Sequence, residues 1–268
     1  MGGGRGGPGV VADPGLVVTA LADVSAIGPY FAVCTEPGCD DAPSWRPLGE
    51  LSSDIGALRA RVADFERRLG TGESRVAASI LFQGLAARLW SPVVGAATAH
   101  RLVPVHASAH MRWRAAPTGP LPLWTPRTAG WATVRQAECA EVVYQAVVAE
   151  LLDPLVEAFQ QVTKIAPSLL WGNAASALAG TLRTLPAARP DLGPPAARLV
   201  GEVLRLGVLA GTGEPAEPAP GHHFFVRTSC CLYYRVPGGG MCDDCALLTP
   251  AIREAQWART VRQAGGAL

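Results

Sequence analysis

Lysine is almost missing from this chain: Lys164 is the only one in 268 residues, although Lys and Arg together number 23. Charge of either sign is sparse as well. Charged residues make up 17% and the net charge is +1, with no basic cluster or stripe. A nucleic-acid or anionic-membrane role therefore has no electrostatic support. Nucleotide loops are also lacking. No G-x-G-x-x-G stands between a strand and a helix, and no Gly-Lys-Ser/Thr element follows a glycine run, so direct NAD(P)H binding is not supported. No basic start leads into an apolar run of signal-peptide length, because Asp13 and Asp23 interrupt the early apolar segments; secretion is not expected. The most membrane-like stretch, VAASILFQGLAARLWSPVVGAATA (76 to 99), is broken by Gln83, Arg88 and Pro92. It reads as a pair of buried helices and not as a transmembrane span.

What is abundant is apolar. Residues of that kind make up 49% of the chain, which is a buried, globular composition with room for a substantial core. Helical periodicity dominates. Asp13 before Pro14 reads as an N-cap with proline at the first helical position. Ile55, Leu58, Val62, Phe65 and Leu69 recur at helical spacing before a Gly70 stop. Two apolar helices over 74–90 and 92–102 are predicted, separated at Ser91-Pro92. Further helices follow over 137–164 (bent near Pro154), 168–185 and 194–209, and a last one around 249–263. Residues 105–124 alternate between short apolar segments and turns, and can form a small hairpin.

The expected fold class is mainly α within α+β, a helical body with a small cysteine-rich module. Its parts are a disordered Gly-rich start (1–12), the body (13–210), a linker by composition (211–221, GTGEPAEPAPG) and the module (222–268). The module opens on HHFFVRTSCCLYYRV, whose aromatic and β-branched residues predict extended chain.

Four of the seven cysteines fall in SCCLYYRVPGGGMCDDC, residues 229 to 245. An odd number of cysteines without a secretory signal points to the reducing cytosol, where clustered thiols hold metal more often than they form disulfides. Cys242 and Cys245, spaced C-x2-C, can put two sulfurs on one metal ion. Cys230 and Cys231 are adjacent, so on an extended strand they point to opposite faces and need a bend to chelate one ion. A two-iron cluster relaxes that demand, since its four thiolate sites are spread over two metals. Pro237 and Gly238 to Gly240 permit the return turn. On spacing alone a structural zinc site is the main rival, and a redox dithiol at Cys242–Cys245 a weaker one. Cys34 and Cys39 form a C-x4-C pair that can contribute to a second metal site, although ordinary cysteines are favoured there. Cys139 stands apart.

The run from Cys230 to Cys245 closely resembles the C-terminal signature of the FhuF family of ferric-siderophore reductases, C-C-x10-C-x2-C. RVAASILFQGLAARLWSPVVGAA (75 to 97) and LLWGNAASALAG (169 to 180) are similar to the helical body of that family. The resemblance implies that Cys230, Cys231, Cys242 and Cys245 ligate a [2Fe-2S] cluster. It implies a cytoplasmic reductase, with possible peripheral contact at the inner face of the membrane. Such an enzyme passes one electron to Fe(III) in a siderophore, expected to be of the hydroxamate type, and releases Fe(II). The electron would come from a reduced ferredoxin or a flavin-dependent reductase. An iron–sulfur carrier without siderophore specificity, or a zinc-stapled interaction domain, is the alternative.

Around the four cysteines, Arg227 and Arg235 are candidates for tuning the site or docking a substrate or partner, against a reading as solvated arginines beside a strand. Asp243 and Asp244 would add negative potential. His222 and His223 are discounted as Rieske-like ligands, since four cysteines complete the set. Phe224, Phe225, Tyr233, Tyr234 and Met241 are expected to shield the site, and Trp113, Trp124, Trp131 and Trp171 to lie in the core. Asn173, inside an apolar helix, requires a hydrogen-bond partner that the sequence does not identify.

Overall fold

The computed structural model describes residues 10–36, 44–116, 119–126 and 128–265. The element order is β1 (Val10–Val11), α1 (Pro14–Ser25), β2 (Val33–Cys34), β3 (Arg46–Pro47), α2 (Glu50–Ser53), α3 (Ile55–Leu69) and α4 (Ser74–His100). Then come β4 (Leu102–Pro104), α5 (Ala107–His110), β5 (Arg112–Trp113), β6 (Leu123–Trp124), β7 (Trp131–Thr133) and α6 (Cys139–Tyr144). A π-helical segment, Gln145–Leu152, leads into α7 (Asp153–Val162), followed by α8 (Pro167–Ala188) and α9 (Gly193–Val203). The hairpin β8 (Gly213–Ala219) and β9 (His222–Arg227) and the helix α10 (Pro250–Gly265) complete the order. The protein is mainly α with short strands, as its composition and periodicity predict.

Helix α4 is the axis of the body. It packs against α1, α3, α8 and α9, and its apolar residues lie on every side instead of in one stripe, which is the pattern of a helix buried all round. By length and composition it could cross a membrane, but most of its apolar stretch is buried against the other helices. The predicted break at Ser91-Pro92 is absent, and α4 runs unbroken through both residues. Pro92 removes one backbone donor, and the Ser91 hydroxyl bonds the Ala87 carbonyl at 2.7 Å in the same turn. Trp90 Nε1 donates to the Ala174 carbonyl at 3.1 Å and ties α4 to α8.

Several local readings correspond to real devices. The Asp13 side chain accepts from the Gly15 and Leu16 amides and starts α1, and Gly70 ends α3 in the left-handed conformation, φ 62°. β5 and β6 pair antiparallel, Trp113 opposite Leu123. All four tryptophans expected in the core are buried. The helix predicted over 137–164 is instead α6, a π-helical stretch and α7. The wider winding falls just before Pro154, whose missing N–H a regular α-helix would need to absorb.

Two boundaries change. Residues 1–9 of the expected Gly-rich start lie outside the described residues, and Val10–Val11 pairs with β7. The composition-based linker is a strand: Glu214 lies opposite Val226 and Ala216 opposite Phe224. Pro215 and Pro218 are tolerated because β8 has a neighbour on one side only.

Arg88, on α4, is the one arginine buried to 2% exposure within the body. Its guanidinium donates to the carbonyls of Leu121 at 2.6 Å, Tyr30 at 2.7 Å and Ala32. Burial lowers its pKa to about 10, so it stays charged at neutral pH. It thereby satisfies three acceptors of two irregular segments that the core would otherwise leave without water. Replacing Arg88 by Leu should cost on the order of 3 kcal/mol, from buried acceptors left unpaired. A urea unfolding curve, compared with wild type, checks this.

Candidate metal centre

The module approaches the body through a glycine. A Cβ at Gly172 of α8 would overlap the Ser229 hydroxyl, so a larger residue there would require the Ser229 side chain to turn away just before Cys230. Past Cys231, the return turn uses Gly238 and Gly240 at φ of 73° and 71°, with Gly239 pressed against the Tyr233 carbonyl. The three-glycine run thus folds the chain back and brings C-x2-C toward the adjacent pair.

The thiols meet there. Cys231 and Cys242 Sγ are 3.5 Å apart. The Leu232 amide donates to Cys230 Sγ at 3.3 Å, and the Leu247 amide to Cys245 Sγ at 3.4 Å. Cys231 and Cys245 are buried, whereas Cys230 and Cys242 are half-buried. Cys231 and Cys242 share a hydrogen bond that pulls the Cys231 thiol down to about 6 and pushes Cys242 well up. The Arg227 guanidinium also favours the Cys231 thiolate. Burial raises the Cys230 thiol.

A polar network fixes this module to the body. Ser79 of α4 donates its hydroxyl to the Cys231 carbonyl at 2.6 Å. Asn173 of α8 donates through Nδ2 to the Ser79 carbonyl and hydroxyl, both at 2.9 Å. Its Oδ1 accepts from Arg227 Nη1. Asp244 is buried; it accepts from the Ser176 hydroxyl and from Arg183 Nη1 at 3.1 Å. The Arg227 amide donates to the Asp244 carbonyl at 3.2 Å. At the rim, Arg235 pairs with Glu73, the residue that precedes α4, at 2.8 Å.

These positions revise the roles read for the charged residues. Arg227 is 3% exposed, so it is neither a solvated arginine nor a docking residue for a protein surface. Arg235 is held by Glu73. Asp244 anchors the module, and its charge is matched by Arg183, while Asp243 accepts from Gln256 of α10 at 2.8 Å. Phe225 is fully buried and Phe224 stacks on Trp257; Tyr234 and Met241 are about 40% exposed or more, although Met241 Sδ lies 3.5 Å from Cys245 Sγ. His222 and His223 line a separate cavity that holds none of the four cysteines. Ser79, Ser176 and Arg183 carried no motif. Their role depends on partners 61 to 152 residues away.

Outside the module, Cys34 is disulfide-bonded, which removes it from metal ligation; Cys39 lies outside the described residues. Cys139 is a buried core thiol whose pKa burial raises to about 11, so it is unreactive at neutral pH.

The donor set suits a dinuclear cluster. Two thiolates on one tetrahedral ion, with bonds of about 2.3 Å, lie roughly 3.8 Å apart, close to the Cys231–Cys242 separation. Among the described residues, no three His, Cys, Asp or Glu side chains gather as a single ion would require. Two irons ask for two thiolates each. Most telling, Arg227 Nε and Nη2 are buried with no hydrogen-bond partner among the described residues. Buried guanidinium donors facing thiols are costly unless an anionic group receives them. Asp244→Ala should cost about 1–3 kcal/mol, since it strands the buried Ser176 hydroxyl and removes the partner of the half-exposed Arg183. Hydrogen exchange should then speed up in β9 and residues 228–247 more than in α4.

Two family models match parts of the chain. Residues 109–200 match the family described as ferric iron reductase FhuF-like transporter, and residues 227–247, with all four clustered cysteines, match the FhuF 2Fe-2S C-terminal domain. No curated protein matches the chain. The C-terminal module is accordingly a [2Fe-2S]-binding domain, and over the matched residues the chain is similar to the FhuF-like family.

Proposed function

We propose that the protein is a cytoplasmic ferric-siderophore reductase acting on hydroxamate-type complexes, with Cys230, Cys231, Cys242 and Cys245 as the ligands of its [2Fe-2S] cluster. The observation that supports this reading is the 3.5 Å approach of Cys231 and Cys242, with Cys230 and Cys245 within electrostatic reach, beside a buried arginine with two donors unpaired among the described residues. When bound, such a cluster supplies a one-electron carrier and needs no organic cofactor. Hydroxamate oxygens hold Fe(III) strongly and Fe(II) far more weakly, so one electron suffices to loosen the complex. The electron comes from a reduced ferredoxin or a flavin-dependent reductase.

The chain's own residues have distinct tasks in this reading. Ser79 and Asn173 hold the Cys231 backbone against α4 and α8. The amides of Leu232 and Leu247 donate to sulfur and reduce thiolate basicity. Arg227 keeps a positive charge in low dielectric beside the thiols, which favours the more negative, reduced state. Phe225 and Val236 exclude water on the body side.

Optical and EPR spectra of anaerobically purified protein, before and after dithionite, test the reading. The expected result is a [2Fe-2S] spectrum that bleaches and becomes EPR-active on reduction, then regains its colour and loses its EPR signal when ferric desferrioxamine B is added, with one Fe(II) released per cluster. Iron-free, silent protein after reconstitution would overturn it. Cys231→Ser should abolish the native spectrum. Arg227→Gln should lower the midpoint potential by about 50–100 mV, as expected for one charge at short range in an effective dielectric near 20. Arg227→Lys should restore most of that shift in a potentiometric titration.

A further inference from the structure

Two cavities adjoin on the α3–α4 side of the thiols. The nearer, about 360 Å³, is lined by Cys231, Cys242, Tyr233, Ile80, Gln83 and Ala87, together with Tyr30 and Gly84. The farther, about 590 Å³, shares Tyr30 and Gly84 and continues between α3 and α4. Both volumes suit small-molecule sites, typically ~300–1,000 Å³. Cys231 and Cys242 are the only two of the four thiols that line either cavity.

The farther cavity has apolar walls, including Phe65, Leu81 and Leu85, and one face of α3 brings Arg61, Asp64 and Arg68 to it at helical spacing. Asp64 is already matched by Arg67 at 3.0 Å and Arg68 at 2.6 Å. Arg61 differs. Its guanidinium lies 4.8 Å from the Trp113 ring centre, and its Nε is buried with no hydrogen-bond partner among the described residues. Among the described residues no carboxylate comes within ion-pair distance of it, although the Asp64 charge acts on it. Tyr30, which both cavities share, has its carbonyl held by Arg88 at 2.7 Å. The wall between the two chambers is therefore a pinned loop.

Building on the reductase reading, we propose that the two cavities form one substrate groove, which seats a ferric hydroxamate chelate with its metal-bearing core over Cys231 and Cys242 and a carboxylate-bearing arm on Arg61. Apolar walls take the aliphatic spacers of such a chelate, and the guanidinium of Arg61, which lines the cavity, takes the carboxylate. Specificity follows from charge: a chelate with a pendant carboxylate binds better than the same chelate with a pendant ammonium.

Gallium(III) complexes test binding without electron transfer, because gallium(III) does not accept the electron. Calorimetric titration of cluster-loaded protein with gallium desferrioxamine B (terminal ammonium) and with its N-succinyl derivative (terminal carboxylate) should favour the succinyl form by about tenfold. Arg61→Gln should erase that preference. A Cβ at Gly84 meets nothing within 4 Å, so Gly84→Leu should fill the groove with the cluster spectrum unchanged, and weaken both complexes by about tenfold or more. Equal affinity of the two complexes for wild type, or unaltered binding in both variants, would overturn the proposal. Binding without reduction of the ferric counterparts would sink the reductase reading and leave the groove standing. Reduction with a KM indifferent to Gly84→Leu would do the reverse.

Discussion

A buried guanidinium governs the design of this protein. Arg227 sits at 3% exposure, gives one N–H to Asn173 and keeps two without partners. Withdrawing such a charge from water is unfavourable by several kcal/mol unless anionic groups lie beside it. The Cys231 thiol, whose ionised form this guanidinium favours, lies beside it. The same arginine, through Asn173, reaches Ser79 and so joins both long helices of the body to the cysteine loop. The body and the module are consequently one electrostatic unit, and neither reaches its low-energy arrangement without the other.

Arg88 plays the matching part on the opposite flank of α4. It has no carboxylate partner and is held by backbone carbonyls alone. Backbone acceptors cannot be protonated away, so this anchor keeps its form across the physiological pH range. Irregular segments that would otherwise need water in the core are fixed by a side chain from the most rigid element available.

Local signals in the sequence were read well. Asp13-Pro14, the Gly70 stop and the buried tryptophans each follow from physics acting over a few residues. Where long-range contacts decide, sequence reading failed. Pro92 lies inside an unbroken helix because its surroundings hold the chain helical against local propensity. Residues 213–219 resemble a linker in composition, yet pairing with β9 makes them a strand. Ser79, Asn173 and Ser176 look like ordinary small polar residues in apolar helices, and only their partners 54 to 152 positions away give them roles. The charge clusters were misread for the same reason. Arg227 and Asp244 sit among apparently soluble neighbours, and burial is not visible in a charge pattern.

Helix α4 carries Ser79, Gly84 and Arg88 on one continuous rod. Nine residues at about 1.5 Å each set these contacts within roughly 14 Å along the axis. A single added residue between Ser79 and Arg88 would rotate one contact by about 100° relative to the other. The length of α4 in this interval is therefore pinned, and inserted residues are better accommodated in the connecting loops.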